Sequence, residues 1–378
     1  MEITQALPLL GGISPQQFMK RYWQKKPLLV RQAIPQFKAL LSRVALFELA
    51  ADEDVQSRLV VQDAGKAAGW QLRHGPFQRR NLPPFKQAGW TLLVQGVDLH
   101  DKSVHQLMNQ FRFVPDARLD DVMISYATDG GGVGPHLDSY DVFLLQAHGR
   151  RLWRIGRQKK PVLQEGVPLK ILTNFEPEEE FVVEPGDLLY LPPGYAHDGI
   201  AQSECMTYSI GFRIPKKAEL ARELLQRLAE EAQDESRDVL YRDADQTAVD
   251  QPAAIPPAML VFAQKAVQDA LQDPWAVARG LGEYMTEPKA QVWFDALDAD
   301  HVELSGRGLL LDRRTRMLFD EQHIFINGES FNAGGRDAAL MRRLANLRRL
   351  DRQDVQKLSA QAKDLVMSWV LAGWLSLD

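Results

Sequence analysis

The chain has 378 residues, 45% hydrophobic and 25% charged, with a formal net charge of -5 and a pI near 6.0. A length of this order predicts roughly two to three domains with ample material for a core, and the slight acidity argues against strong attraction of the whole chain to nucleic acid. The single cysteine, Cys205, rules out an intrachain disulfide and points to a reducing cytoplasm; no charged n-region with an apolar run opens the chain, and no apolar stretch nears the ~20 residues that cross a bilayer, so neither export nor a membrane is expected.

Residues 14–32 read as a helix followed by a strand. Ser14 caps, Pro15 takes the first helical position, and Phe18, Tyr22 and Trp23 follow at helical spacing. Pro27 stops the helix, and residues 28–30 form a short buried strand. Strands are expected over 57–62, 70–74 and 90–95, each bounded by Gly, Pro or Asn, and a helix over 105–113. From 120 to 212 the texture is strongly β, with short runs at 122–126, 142–146, 152–155, 181–183, 188–191 and 207–212. The turns between them are rich in glycine and proline, such as Glu184-Pro185-Gly186-Asp187 and Pro192-Pro193-Gly194. Many short strands at even spacing predict a sandwich or barrel, the class that includes the double-stranded β-helix of cupins and jelly rolls.

After Pro215, Leu220, Leu224, Leu225 and Leu228 lie at helical spacing, an acidic stretch over 234–257 reads as a linker, and helices are expected over 259–271 and 274–284. From about residue 292, strands at 309–311 and 323–326, an Asn327-Gly328 turn, and helices over 338–348 and 354–374 suggest a small α+β, winged-helix-like module. Residues 291–378 carry 12 Lys/Arg against 13 Asp/Glu, without the basic surplus of a nucleic-acid-binding module, so none is expected to bind there.

The chemistry concentrates at Gly134-Pro135-His136-Leu137-Asp138. Residues i and i+2 of a strand share a face, so His136 and Asp138 can converge, while Asp141, at an odd offset, points the other way. A lone His-x-Asp arises often by chance. With His197 it completes a two-histidine, one-carboxylate facial triad that leaves metal positions open, as in non-haem Fe(II) oxygenases. The remaining histidines, His74, His100, His105, His148, His301 and His323, are read as ordinary residues. Arg151 alternates with Trp153 and Ile155 on a strand, and an arginine facing a barrel interior demands an anion. A dicarboxylate held as a bidentate ion pair would meet that demand; a surface arginine is the plain alternative. Glu178, Glu179 and Glu180 are read as a solvated loop.

The segment 134–138, residues 150–154, Glu184 through His197 and Tyr208-Ser209-Ile210-Gly211-Phe212-Arg213 resemble the jumonji C (JmjC) oxygenases of the cupin superfamily, and within them the bacterial ribosomal oxygenases. Trp23-Gln24-Lys25-Lys26-Pro27-Leu28 and His74-Gly75-Pro76-Phe77 agree. The likeness is close over about the first 215 residues and one of layout beyond. It implies a mainly β catalytic domain over 1–215, an α-helical dimerisation region over 216–290 and a winged-helix-like C-terminal domain over 291–378. It further implies an Fe(II)- and 2-oxoglutarate-dependent dioxygenase that uses O2 to hydroxylate the β-carbon of an arginine in a large-subunit ribosomal protein (L-sixteen), as a homodimer. His136, Asp138 and His197 would bind iron, and Arg151 with Ser125 the co-substrate. Asp121, Met123, Tyr140 and Ser209 would line the substrate pocket, where a carboxylate such as Asp121 suits a guanidinium. Ala127 departs from the serine that some relatives carry. The rival readings are a JmjC lysine demethylase and a non-catalytic cupin scaffold or regulator.

Overall fold

The computed structural model describes residues 2–62, 69–231, 239–270, 273–298, 304 and 306–378; His301, Leu271 and the start of the expected linker, 234–238, lie outside them. The chain divides into two compact units, Met1–Ile214 and Pro215–Asp378.

The first unit holds twelve strands among its described residues: β1 (Leu28–Val30), β2 (Ser57–Gln62), β3 (Trp70–His74), β4 (Trp90–Val94), β5 (Leu119–Ala127), β6 (His136–Leu137), β7 (Val142–His148), β8 (Arg151–Arg157), β9 (Glu179–Val183), β10 (Leu188–Leu191), β11 (Tyr195–Ala201) and β12 (Cys205–Phe212). Eight form one sheet in the order β1-β10-β7-β12-β5-β4-β2-β3, and four form a second, β6-β11-β8-β9. The pairings are antiparallel. Two antiparallel sheets are the expected β-rich architecture of the cupin and jelly-roll class.

Alternation assigns the two faces of the large sheet. Val122, Ile124 and Tyr126 of β5, Phe143 and Leu145 of β7, and Met206, Tyr208 and Ile210 of β12 are buried in one apolar core. That core also takes Phe18 of α1 (Pro15–Arg21), Leu46, Phe47 and Ala50 of α2 (Arg43–Ala51), and Val104 and Leu107 of the helix Lys102–Asn109. The helices therefore cover the outer face. The intervening residues, among them Asp121, Met123, Ser125, Thr207 and Ser209, line a cavity on the other face.

Local signals account for most elements. Ser14 and Gln17 form a reciprocal capping box at the start of α1. The helix ends at Arg21, earlier than Pro27 suggested, because Gln24 turns into the left-handed region with a φ of 55°. The helix expected over 105–113 starts earlier: a four-residue helix, α3 (Val97–His100), is followed by α4 (Lys102–Asn109), and Asp101 between them accepts from the amides of Ser103 and Val104. No strand was expected at β11, whose Asp198-Gly199 pair is a poor strand former. Glu179 and Glu180 begin β9 instead of lying in a loop, and Glu180 meets Arg154 across the pair at 3.0 Å.

In the second unit, α5 (Lys217–Glu231), α6 (Pro257–Ala270) and α7 (Ala276–Thr286) precede a module of short strands and helices. Among the described residues there are two three-stranded sheets, β17-β13-β18 and β14-β15-β16, where β13 is Leu309–Leu311, β14 Met317–Phe319, β15 His323–Ile326, β16 Glu329–Asn332, β17 Arg349–Leu350 and β18 Leu375–Leu377. The Asn327-Gly328 turn joins β15 to β16, with positive φ at both residues. The helix expected over 354–374 is two, α9 (Arg352–Gln356) and α10 (Ala360–Leu371), because Ser359 caps a new start by accepting from the Ala362 amide. They pack with α8 (Gly335–Leu347) around Leu344, Val366, Trp369 and Val370. Among the described residues, no helix is long and apolar enough to cross a membrane.

Asp141 ties the first unit together. It is fully buried; it accepts from the Tyr190 hydroxyl at 2.6 Å, Gln24 Nε2 at 3.0 Å and Arg118 at 3.2 Å. Removing a carboxylate that satisfies three donors leaves the Arg118 cation without its ion-pair partner and the buried Tyr190 phenol without an acceptor. Asp141→Ala is predicted to lower unfolding free energy by about 3 kcal/mol, read from the midpoint of urea denaturation.

Candidate metal and dicarboxylate site

The cavity between the strands has a volume of about 330 Å³. Its lining includes His136, Asp138, His197, Arg151, Ser125, Asp121, Met123, Tyr140 and Ser209, so the structure brings together all nine residues to which the sequence assigned a role.

The three candidate ligands meet through strand pairing. β11 runs antiparallel between β6 and β8, and His197 stands directly opposite His136. Asp138 follows β6 by one residue; its main-chain carbonyl accepts from the Gly194 amide at 3.2 Å, which ties the ligand segment to the turn before β11. His136 Nε2 lies 3.8 Å and His197 Nε2 3.6 Å from the Asp138 carboxylate oxygens. The ligand atoms all fall within 4.8 Å of one another. Each imidazole is oriented from behind: Nδ1 of His136 faces the Gly134 carbonyl at 2.8 Å, and Nδ1 of His197 faces that of Tyr195 at 3.1 Å. A carbonyl only accepts, so each Nδ1 carries the proton and each Nε2 offers its lone pair toward the common point.

Burial lowers the pKa of His197 to about 4, with His136 as the second cause and the Asp138 charge opposing both. His197 is therefore neutral, the form that ligates a metal, across the physiological range. The Trp153 ring lies 5.8 Å from that of His197. Its close approach needs Gly199, where a Cβ would come within 2.6 Å of the indole.

Arg151 is the second chemical centre. It is 4% exposed; its guanidinium reaches the Gly199 carbonyl at 3.4 Å and the Cys205 thiol at 3.5 Å, and its Nε has no hydrogen-bond partner. Those contacts are at the outer limit of hydrogen bonding. A buried guanidinium so poorly matched lacks an anion. Ser125 stands on the same wall, and its hydroxyl makes only a 3.4 Å contact to the Thr207 carbonyl. Two imidazoles, one carboxylate and, in the same cavity, an undersatisfied cation fit a divalent metal with a metal-chelating dicarboxylate.

At the other end of β5, Asp121 is buried and accepts from the Gly96 amide at 3.1 Å. Tyr140 is 40% exposed, yet desolvation first, then the Asp138 and Asp121 charges, hold its phenol above the usual range, so it stays a hydrogen-bond donor. Polar cavity residues beyond those nine are Arg58, Thr91, Gln95, Asp120, Thr207 and Lys170. Arg58 was visible as the residue two before buried Val60 on β2; the others carry no motif. Asp141 points away from the cavity, as its odd offset required.

A JmjC-domain family matches residues 106–220, and a ROXA-like winged helix matches residues 269–376. The ribosomal protein uL16 3-hydroxylase of Escherichia coli (strain K12) is 34% identical over 338 residues, 85% of this chain and 86% of that protein. A probable ribosomal oxygenase of Haemophilus influenzae is 36% identical over 212 residues, 55% of this chain and 52% of its own. The X-ray structure of E. coli ycfD superposes with a TM-score of 0.81 at 29% identity, covering 96% of this chain and 98% of that one. A structure of YcfD with cobalt and 2-oxoglutarate gives a TM-score of 0.75 at 30% identity over 96% and 98%.

Asp138→Ala removes the anionic member of the set while leaving both histidines anchored. It is predicted to weaken binding of Mn(II) or Co(II), titrated calorimetrically, by more than the roughly 10–100-fold that changes outside the ligand set cost. Retained affinity would place the metal elsewhere.

Proposed function

This chain belongs to the JmjC ribosomal oxygenases, the family of the uL16 3-hydroxylase, and on that premise we propose that it hydroxylates the β-carbon of an arginine in the large-subunit ribosomal protein L-sixteen, using Fe(II), O2 and 2-oxoglutarate. The observation that carries the reading is the facing pair of groups in one cavity: a His-Asp-His set that could hold a metal, and a buried arginine without its anion. Bound Fe(II) supplies oxygen activation coupled to the oxidative decarboxylation of 2-oxoglutarate to succinate and CO2.

The protein's own residues hold and orient. His136, Asp138 and His197 would hold the metal through three ligand atoms, a set that would leave it able to bind the co-substrate and O2. Arg151 takes the far carboxylate of 2-oxoglutarate as a charge-assisted pair, and Ser125 exchanges its weak carbonyl contact for the same carboxylate. Val142, Leu144 and Trp153 give the cavity apolar walls that exclude water around these charges. Asp121 receives the guanidinium of the substrate arginine, with Met123, Tyr140 and Ser209 around it; a fixed carboxylate beside a planar cation favours arginine over an uncharged side chain. The enzyme acts in the cytoplasm, with no nucleic acid bound directly.

The division into a catalytic domain over 1–215, a helical region over 216–290 and a C-terminal domain over 291–378 belongs to the same reading, with the middle region serving homodimerisation. In its favour, α6 exposes Met259, Leu260, Val261 and Val267, an apolar surface that a second copy would cover.

Incubating the full chain with Fe(II), 2-oxoglutarate and a fragment of the ribosomal protein is predicted to add one oxygen atom to arginine and to form succinate in step. The absence of both products would overturn the reading, and formaldehyde from a methyl-lysine peptide would favour a demethylase. Asp121→Asn is predicted to raise the KM for the fragment by roughly tenfold, the cost of a lost charge-assisted pair, with the KM for 2-oxoglutarate unchanged in steady-state kinetics.

A further inference from the structure

Behind Arg151 sits a polar side chain that neither the motif nor the proposed chemistry uses. Gln146, on β7, is completely buried. Its Nε2 donates to the His148 carbonyl at 2.8 Å and to the Gly149 carbonyl at 3.2 Å, the two residues that turn the chain from β7 into β8. Its Oε1 accepts from the Thr207 hydroxyl on β12 at 2.9 Å. Its main chain is equally engaged: its carbonyl accepts from Gly186 at 2.9 Å, and its amide donates to Asp187 at 3.0 Å. One side chain thus clamps a turn to the neighbouring strand.

The clamped parts are those that surround the Arg151 guanidinium. Arg151 is the second residue after Gly149, so the position of the turn sets where its side chain enters the cavity. Gly149 adopts a φ of +62° with its Cα hard against β12; a Cβ there would lie 2.1 Å from the Glu204 carbonyl. Two residues along β12 from Cys205, whose thiol touches Arg151, Thr207 presents the main-chain carbonyl that holds the Ser125 hydroxyl. The β12–β7 register shifts at Met206/Thr207, so ladder pairing alone does not fix this end of the strand. Gln146 bridges that irregularity.

We propose that Gln146 is a positioning residue for the dicarboxylate co-substrate: by locking the His148-Gly149 turn to Thr207, it holds Arg151 and Ser125 in the geometry that receives the far carboxylate. The inference rests on the reading of Arg151 given above. The Arg151 guanidinium makes only two long hydrogen bonds of its own and lies 5.7 Å from the centre of the Trp153 ring, so its placement depends on the backbone that carries it. A guanidinium placed in advance loses less freedom on binding an anion. Among the described residues, the hydrogen bonds of Gln146 go to His148, Gly149, Thr207, Gly186 and Asp187 and to none of the metal ligands, so the metal set is expected to be independent of it.

The test is calorimetric titration of the full chain, first with Mn(II) and then with 2-oxoglutarate on the Mn(II)-loaded protein, for the parent and for Gln146→Leu, Thr207→Val, Arg151→Gln and the double variant Gln146→Leu/Arg151→Gln. Gln146→Leu is expected to weaken 2-oxoglutarate by about tenfold, the yield of one to two net hydrogen bonds, with Mn(II) affinity within about twofold of the parent. Thr207→Val keeps the turn bonds and is expected to give a smaller loss. Arg151→Gln is expected to lose most of the affinity, and adding Gln146→Leu to it is expected to change little, because positioning has no effect once the positioned group is gone. Unchanged 2-oxoglutarate affinity in Gln146→Leu, or an equal fall in Mn(II) affinity, overturns the proposal; so does additivity in the double variant. Retained affinity in Arg151→Gln overturns instead the assignment of Arg151, a separately readable outcome. In turnover, the KM for 2-oxoglutarate is expected to rise with kcat preserved, and a fall in kcat alone would count against the proposal.

Discussion

Everything chemical in this protein depends on the register of one strand. β11 is paired on one edge with β6, setting His197 opposite His136, and on the other with β8, setting Ala201 opposite Arg151 and Gly199 opposite Trp153. Because side chains alternate with period two, a slip of one residue would turn His197 out of the cavity and Asp198 into it. The strand's own sequence does little to prevent this, since Asp198-Gly199 has weak β preference. The register is held from outside, by the bond from the Gly194 amide to the Asp138 carbonyl and by the Trp153 ring that only a glycine at 199 accommodates. The same contacts that make the site also make the strand.

Two sets of buried groups in the first unit differ in how fully they are matched. Asp141 has three hydrogen-bond donors, and Asp187 accepts from Arg31 at 2.6 Å and from the Gln32 and Glu184 amides at 2.9 and 3.1 Å. These carboxylates are finished structural parts, and each stands outside the cavity. Inside it, Arg151 has only marginal contacts, and the Nε2 atoms of His136 and His197 face a carboxylate at distances too long for a hydrogen bond. Leaving buried polar groups underused costs stability, so their concentration in one cavity is the mark of a ligand site rather than of a core. Burial, which keeps His197 neutral, also strengthens any ion pair that Arg151 makes.

Much of this was legible in the sequence, for identifiable reasons. His136, Asp138 and Arg151 could be placed because they lie on or next to strands whose neighbours alternate, and alternation fixes direction without knowledge of the fold. His197 could be named only by its chemistry, as a third ligand in search of a strand, and β11 itself was not foreseen. The start of α4 was misplaced because its cap, Asp101, lies ahead of the expected helix, and that of α10 because Ser359 caps a new helix inside the expected one. The small strands β14, β16, β17 and β18 have two to four residues each, too few to show a period. Gln146 was invisible for another reason: a buried amide has no sequence signature, and its importance lies in which carbonyls it reaches.

A single strand also sets the scale of the site. Asp121, Met123 and Ser125 lie on the cavity face of β5 at successive alternate positions, so the first and last are about 13 Å apart along the strand. Ser125 belongs with Arg151 at one end and Asp121 with Tyr140 at the other, and the candidate metal ligands come from the opposite sheet. The length of β5 between these residues is therefore a ruler for the two ligands that must meet between them. Its other face carries Val122, Ile124 and Tyr126, all fully buried in the main core. A change of core packing that shifted β5 along its axis would move both ends together against the metal set, and a change that bent it would alter the distance between them. The outer core thus constrains the reaction geometry without touching either ligand, which is why a rigid, helix-covered sheet suits a cavity that must align a protein side chain, a dicarboxylate and a metal at once.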